Sequence, residues 1–231
     1  MSNKITEIYE KLFAHYGDLN WWPAKTPYEV IVGAVLTQNT AWSNVEKALA
    51  NFNDNFTPEF VAEMEIEKLI EIIRPAGFFN QKSAYLKAVT EWFAGYSYDV
   101  EEVQKQPVEK LRPELLKVKG IGQETADSIL LYAFGFPTFV VDAYTHRLFE
   151  RYPVNLGGVA AGRTESADRS KNPVRNYAAV KALFENSIPK NTENYNRYHA
   201  LIVINAKEHC KKTKPVCGSC PLKEKCRRIG T

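Results

Sequence analysis

The first 209 residues of this 231-residue chain contain no cysteine. A disulfide framework spread through the fold is therefore excluded. No apolar run approaches the roughly 20 residues that a bilayer-spanning helix requires. The opening Met-Ser-Asn-Lys-Ile-Thr-Glu lacks the basic-then-apolar order of a signal peptide. A cytoplasmic setting, nucleoid-associated in a prokaryote, is expected, with no membrane partner. Charge of one sign is also scarce: the net charge is +3 and the pI about 8.5, so bulk charge alone does not announce a nucleic-acid binder. Internal repeats and low-complexity tracts are missing. What remains is an ordinary globular composition, 45% hydrophobic and 25% charged, enough to bury a core as one domain or two lobes. A monomer is expected.

Helical periodicity dominates, with no convincing alternating strand pair, and predicts an all-α fold. Thr26-Pro27 opens a helix to about Thr37, with a threonine N-cap and proline at the first position. Ser43 is the expected cap of the next, and Pro58 starts another. Ile66–Ile73 is amphipathic before a Pro75-Ala76-Gly77 break. Helices are then expected at Gln81–Phe93, Pro107–Leu116, Glu124–Phe134, Asp142–Arg151, Tyr177–Phe184 and Glu193 to about Lys207. Asn155–Pro173 has no apolar period and reads as a long functional or mobile loop.

All four cysteines fall in the last 22 residues as Cys210, Cys217, Cys220 and Cys226, spaced C-x6-C-x2-C-x5-C. In a cytoplasmic chain such a cluster converges on one metal centre rather than on disulfides. The pattern is not the paired C-x2-C of a zinc ribbon, and a compact loop of this kind can wrap a four-iron cluster. Spacing alone leaves zinc and iron–sulfur both open. So little of the segment is apolar that its folding is expected to depend on the metal.

Leu116-Lys117-Val118-Lys119-Gly120-Ile121-Gly122 lies between two helical stretches. Two glycines permit backbone angles closed to other residues and leave amides bare for a phosphate oxygen at the start of the following helix. Lys117 and Lys119 add attraction that is independent of base sequence. An ordinary glycine C-cap is the bland alternative. Twenty residues beyond Gly122, the apolar Phe139-Val140-Val141 ends in Asp142. A lone acid at a helix start is usually an N-cap.

Taken together, Leu36-Thr37-Gln38-Asn39-Thr40, the Lys119–Gly122 hairpin with Thr125-Ala126, Val141-Asp142 and the cysteine loop resemble the endonuclease III superfamily of helix-hairpin-helix DNA glycosylases. The resemblance spans nearly the whole chain. It implies two helical lobes with a DNA cleft between them: residues 23–137 with the hairpin, and residues 1–22 with 138–231, including the cluster loop 210–226. It makes Cys210, Cys217, Cys220 and Cys226 ligands of a [4Fe–4S] cluster, and Asp142 the catalytic aspartate. Double-stranded DNA with damaged bases is the implied partner. Gln38 resembles the residue that fills the gap left by an everted nucleotide. Bifunctional members place a lysine two residues after the second hairpin glycine; here that position is Glu124, which cannot form an imine. A monofunctional enzyme leaving an abasic site is the expectation.

An everted base needs aromatic walls. Trp21-Trp22-Pro23 and Trp42 hold three of the four tryptophans and look similar to the base pocket of the 3-methyladenine glycosylase branch. Lys207 is the candidate for that branch's lysine on the last helix. Electron-rich faces suit cationic bases such as 3-methyladenine and 7-methylguanine, worth up to ~2 kcal/mol when desolvated. Core packing is the alternative for each tryptophan. Rival readings are a glycosylase for a mismatched or oxidised base, and a non-catalytic iron–sulfur DNA-binding protein.

Overall fold

The computed structural model describes residues 4–19, 24–52, 56–153, 155–156, 159–160 and 175–227. The chain divides into two compact units, Trp22–Phe136 and Met1–Trp21 with Pro137–Thr231. No described helix is long and apolar enough to cross a membrane.

The unit Trp22–Phe136 is built around α2 (Pro27–Leu36). Thr26 caps it by accepting the Glu29 amide at 3.1 Å, and Pro27 fills the first turn, as the sequence predicts. Tyr28 and every residue from Val30 to Leu36 are buried. A helix apolar on all sides must sit inside its unit. Around it lie α3 (Trp42–Ala50), α4 (Pro58–Glu63), α5 (Ile66–Ile73), α6 (Phe79–Ala94), α7 (Val100–Gln104), α8 (Val108–Lys117) and α9 (Gln123–Ser128). Ile31, Val35, Val45, Leu69, Leu86, Val89, Leu115 and Ile129 are fully buried among them.

Two local expectations are corrected. Helix α3 starts one residue ahead of Ser43: Ala41 is its N-cap and no side chain closes its first turn. The helix expected at Glu124–Phe134 keeps α-geometry only to Ser128, then widens into a π-helical turn, Ile129–Ala133, which packs on α2.

The unit Met1–Trp21 with Pro137–Thr231 is organised by α12 (Thr192–Glu208), against which α1 (Lys4–Tyr16) and α10 (Ala143–Arg151) pack. Helix α1 buries Ile5, Ile8 and Leu12, a one-sided stripe. Phe184 of α11 (Tyr177–Glu185) lies between Phe139, stacked at 3.8 Å, and Phe149 at 5.3 Å. Burial of Phe139, Val140 and Val141 threads the chain through this core up to Asp142. The stretch expected to be a structureless loop contains a two-residue antiparallel pair, β1 (Asn155–Leu156) with β2 (Val159–Ala160). It leaves the helical class unchanged. Residues 161–173 of that stretch lie outside the described residues.

One ion pair ties the helix before the hairpin to the helix after it. Arg112 of α8 donates through Nε and Nη2 to Asp127 Oδ1 and Oδ2 of α9 at 2.8 and 3.0 Å, and the Asp127 side chain is wholly buried. Removing one partner of a buried pair costs about 3 kcal/mol or more. Arg112→Ala is expected to lower the urea midpoint by an amount of that order, with little change in the slope.

Candidate functional site

Between α8 and α9 the chain turns through Gly120, whose φ of 83° is closed to most residues with a Cβ. A Cβ there would also run into the Tyr85 ring on α6. Gly120 is thus required twice over. Gly122 is different, which corrects the expectation that both glycines serve the turn. It is the N-cap of α9 in extended conformation, and a Cβ would meet nothing within 4 Å. The protein itself does not demand glycine at 122; a close approach by something outside it would. Gly122 offers no side chain to cap α9. Lys117, Lys119 and Gly122 are exposed, and so is Glu124 in the first turn of α9.

Gln38 reaches this turn from the segment after α2. Its Nε2 donates to Gly120 O and to Thr125 Oγ1, both at 3.0 Å. In this state it braces the hairpin rather than projecting outward. Filling a vacated base position would require both bonds to be exchanged for bonds to DNA, at about 1 kcal/mol each.

Two residues of this face escaped the sequence reading. Lys82 of α6 is 2% exposed, and its Nζ donates to Leu36 O at 2.9 Å and Ala76 O at 2.8 Å. Burial holds its pKa below the usual lysine value. It clamps the end of α2, next to Gln38, to the turn that leads into α6. That turn carries Phe78, a non-glycine residue at φ 48° whose ring is 61% exposed and 5.9 Å from Lys82 Nζ. A bulky residue in the left-handed region and open to water is a strained feature of the kind kept at functional sites. The signal for Lys82 was its place on the apolar stripe shared with Leu86, Val89 and Phe93.

Asp142 is 7% exposed and occupies the N-cap of α10. Its Oδ1 accepts the Thr145 amide at 2.7 Å and the Thr145 hydroxyl at 2.8 Å. The His199 Nε2 of α12 lies 3.4 Å from Oδ2. Burial raises the pKa of this carboxyl, but the His199 and Thr145 interactions more than offset it and hold it below the ordinary carboxylate range. The helix-cap alternative is therefore realised in full, and the same bonds keep a desolvated carboxylate charged.

Trp42 is half-buried against the core of its own unit, and its Nε1 donates to Glu46 at 3.0 Å. Trp21, Trp22 and Pro23 lie outside the described residues. Lys207 is exposed on the last turn of α12, eight residues and thus about 12 Å along the axis from His199.

The cysteine loop is tied to α10 and α1. Arg151 is 8% exposed and donates to Cys210 Sγ at 3.3 Å, Lys211 O at 2.8 Å and Lys212 O at 3.3 Å. Arg147 Nε donates to Cys210 O at 2.6 Å, and Lys225 meets Glu7 of α1 at 2.7 Å. Among the described residues, no three His, Cys, Asp or Glu side chains gather tightly enough to hold one metal ion. The four thiols nevertheless share a neighbourhood. Burial pushes the Cys220 thiol up, a bond from the Leu222 backbone opposes this, and the charges of Cys210, Cys226 and Cys217 push it further.

Residues 32–164 match the HhH-GPD superfamily of base excision DNA repair proteins. A Methanocaldococcus jannaschii protein provisionally named a DNA repair glycosylase is 45% identical over 226 residues, covering 96% of this chain and 95% of that one. Endonuclease III of Sulfolobus acidocaldarius is 26% identical over 203 residues, covering 87% and 81%. Among solved structures, a trapped endonuclease III–DNA covalent intermediate superposes with a TM-score of 0.75 at 25% identity, covering 97% of this chain and 94% of that one. The Helicobacter pylori 3-methyladenine DNA glycosylase bound to 1,N6-ethenoadenine gives 0.65 at 31% identity, covering 88% and 97%. The chain belongs to the HhH-GPD superfamily of base excision repair proteins, and with it to the DNA glycosylases.

Two measurements follow from this geometry. Gly120→Ala should cost several kcal/mol of stability, while Gly122→Ala should cost about 1 kcal/mol or less, both read from denaturant midpoints. For Asp142, whose folded pKa is depressed, the stabilisation is complete above its unfolded value near 4 and fades as pH falls through the lower folded value. The stability gap between wild type and Asp142→Ala should thus be wider at about pH 6 than at about pH 3.

Proposed function

We propose that this protein is a monofunctional glycosylase that everts damaged bases from double-stranded DNA, excises alkylated purines such as 3-methyladenine and 7-methylguanine, and leaves an abasic site. The observation that carries the reading is the carboxylate of Asp142, desolvated yet held charged by Thr145 and His199. Breaking an N-glycosidic bond builds positive charge on the sugar. A fixed negative group in a water-poor setting stabilises that charge and can orient the attacking water. Cationic alkylated bases already leave readily, so little acid catalysis at the base is needed.

The DNA anchor in this reading is the face around Gly122. Its open approach, the exposed Lys117 and Lys119, and the start of α9 suit a phosphate oxygen. Phe78 offers the exposed apolar surface with which proteins part neighbouring base steps. Gln38 exchanges its hairpin bonds for the vacated position. Glu124, where bifunctional relatives carry lysine, offers no amine for a Schiff base. The Helicobacter pylori relative, at 31% identity, supports the alkylated-purine preference. Trp21, Trp22, Pro23, Trp42 and Lys207 stay as proposed pocket residues, Trp42 resting most plainly on its packing role.

Cys210, Cys217, Cys220 and Cys226 would hold a [4Fe–4S] cluster, which when bound staples the polar C-terminal loop through four iron–thiolate bonds. Arg151 and Arg147 orient the first of these cysteines. Purified protein should contain about four iron atoms per chain, and Cys220→Ser should lose them along with the order of the loop.

A second reading has its own support: with both Thr145 donors on Oδ1 closing a capping box, Asp142 would only cap α10, in a protein that binds lesions without excising them. Release of methylated purines from alkylated duplexes, beside mismatched and oxidised duplexes, separates the two. The proposal expects breaks only after alkali, and a loss of at least about a hundredfold in Asp142→Asn with DNA affinity largely kept. Gly122→Ala should weaken DNA binding about tenfold while leaving the fold intact. Wild-type excision by Asp142→Asn would remove the catalytic assignment.

A further inference from the structure

We propose that His199 is a positioning residue for the reaction, holding the second oxygen of the Asp142 carboxylate toward its task. The inference rests on the reading of Asp142 as the catalytic group.

The two carboxylate oxygens have unequal surroundings. Oδ1 takes two donors from one residue, the amide and hydroxyl of Thr145, three positions further along the same helix. Those bonds belong to the start of α10 and form wherever such a cap forms. They pin one oxygen and leave the plane of the carboxylate to be set by whatever meets the other. At Oδ2 the group that does so is the His199 Nε2, 57 residues away in sequence and 3.4 Å away in space.

His199 is well suited to that duty. It is 5% exposed, so its ring is confined. It sits on α12 between Tyr198, whose hydroxyl donates to Ile5 O at 2.7 Å, and Ala200, both fully buried. Helix α12 is the element against which α10 packs. Two rigid helices thus fix the distance, as a supporting shell must if a reacting group is to stay within a fraction of an ångström. The His199 Nε2 stands at ion-pair distance from Oδ2, outside the alignment of a formed hydrogen bond; a small turn of the ring would aim an N–H at that oxygen, and a donor there favours the ionised carboxylate. At 3.4 Å the contact is long enough to leave a lone pair of Oδ2 open. With both Thr145 donors on Oδ1, Oδ2 is the oxygen that the proposal assigns to the developing positive charge.

The experiment uses the full-length protein on whichever duplex of the lesion panel the wild type releases a base from. Single-turnover excision rate and lesion-DNA affinity are measured for His199→Ala, His199→Leu, His199→Gln and Asp142→Asn. Loss of the imidazole in His199→Ala and His199→Leu should slow excision on the order of a hundredfold, with affinity unchanged within about threefold. His199→Gln, which restores an N–H donor, should recover most of the rate. A residue needed only for folding would lower rate and affinity together, and glutamine would rescue neither selectively. Wild-type rates in His199→Ala and His199→Leu beside an inactive Asp142→Asn would overturn the role of His199 while sparing that of Asp142. Activity in Asp142→Asn would overturn both. Where alanine and leucine fail to fold, His199→Gln decides alone: a rate within about threefold of wild type supports the inference, and one below about a tenth contradicts it.

Discussion

A carboxylate shut away from water stays charged only when the protein returns what hydration supplied. In this chain that exchange happens at Asp142, with Thr145 on one oxygen and His199 on the other. Much of its unit is arranged to make it possible. The buried Phe139–Val141 segment delivers the residue to the start of α10, Phe184 packs that segment against Phe149, and α12 brings the imidazole. The proposed reactive charge and the observed helix cap are compatible in one residue. His199 and the Thr145 bonds that cap α10 together hold the carboxylate below its ordinary range.

The other unit solves a different problem, that of presenting backbone rather than side chain. Gly120 folds onto the Tyr85 ring, Lys82 locks the end of α2 to the approach of α6, and Gln38 holds the hairpin by its carbonyl. These contacts join three sequence stretches: 36–38, 76–85 and 120–125. Rigidity of this kind lowers the ordering cost of binding a phosphate chain. Phe78 is one of several non-glycine residues of this unit at positive φ, and it is 61% exposed.

Features written in local chemistry were legible from the sequence. Thr26-Pro27 announced α2 because a threonine cap and a proline at the first turn need only their own neighbours. Asp142 was legible as a helix start for the same reason, and the clustering of cysteines in the final 22 residues stood out without any fold. What stayed hidden depends on distant partners. That Gly120 is irreplaceable while Gly122 has open space is decided by Tyr85, 35 residues earlier. His199 lies on the same apolar stripe as Tyr195 and Ile202, so its pattern reads as core until α10 is packed beside it. Ser43 misled because a serine next to a helical stretch resembles a cap, whereas the helix had already begun at Trp42. The π-helical turn after Ser128 follows from packing on α2, which periodicity does not encode.

The central claim concerns where one negative charge stands during base removal. A crystal structure of the complete protein with a duplex carrying a charged abasic-site analogue measures it directly. The account predicts the Asp142 Oδ2 within about 4 Å of the sugar ring of the everted residue, Thr145 and His199 still in place behind it, and a phosphate resting against Gly122. A complex in which the hairpin meets DNA but the Asp142 carboxylate stays turned from the sugar would contradict it.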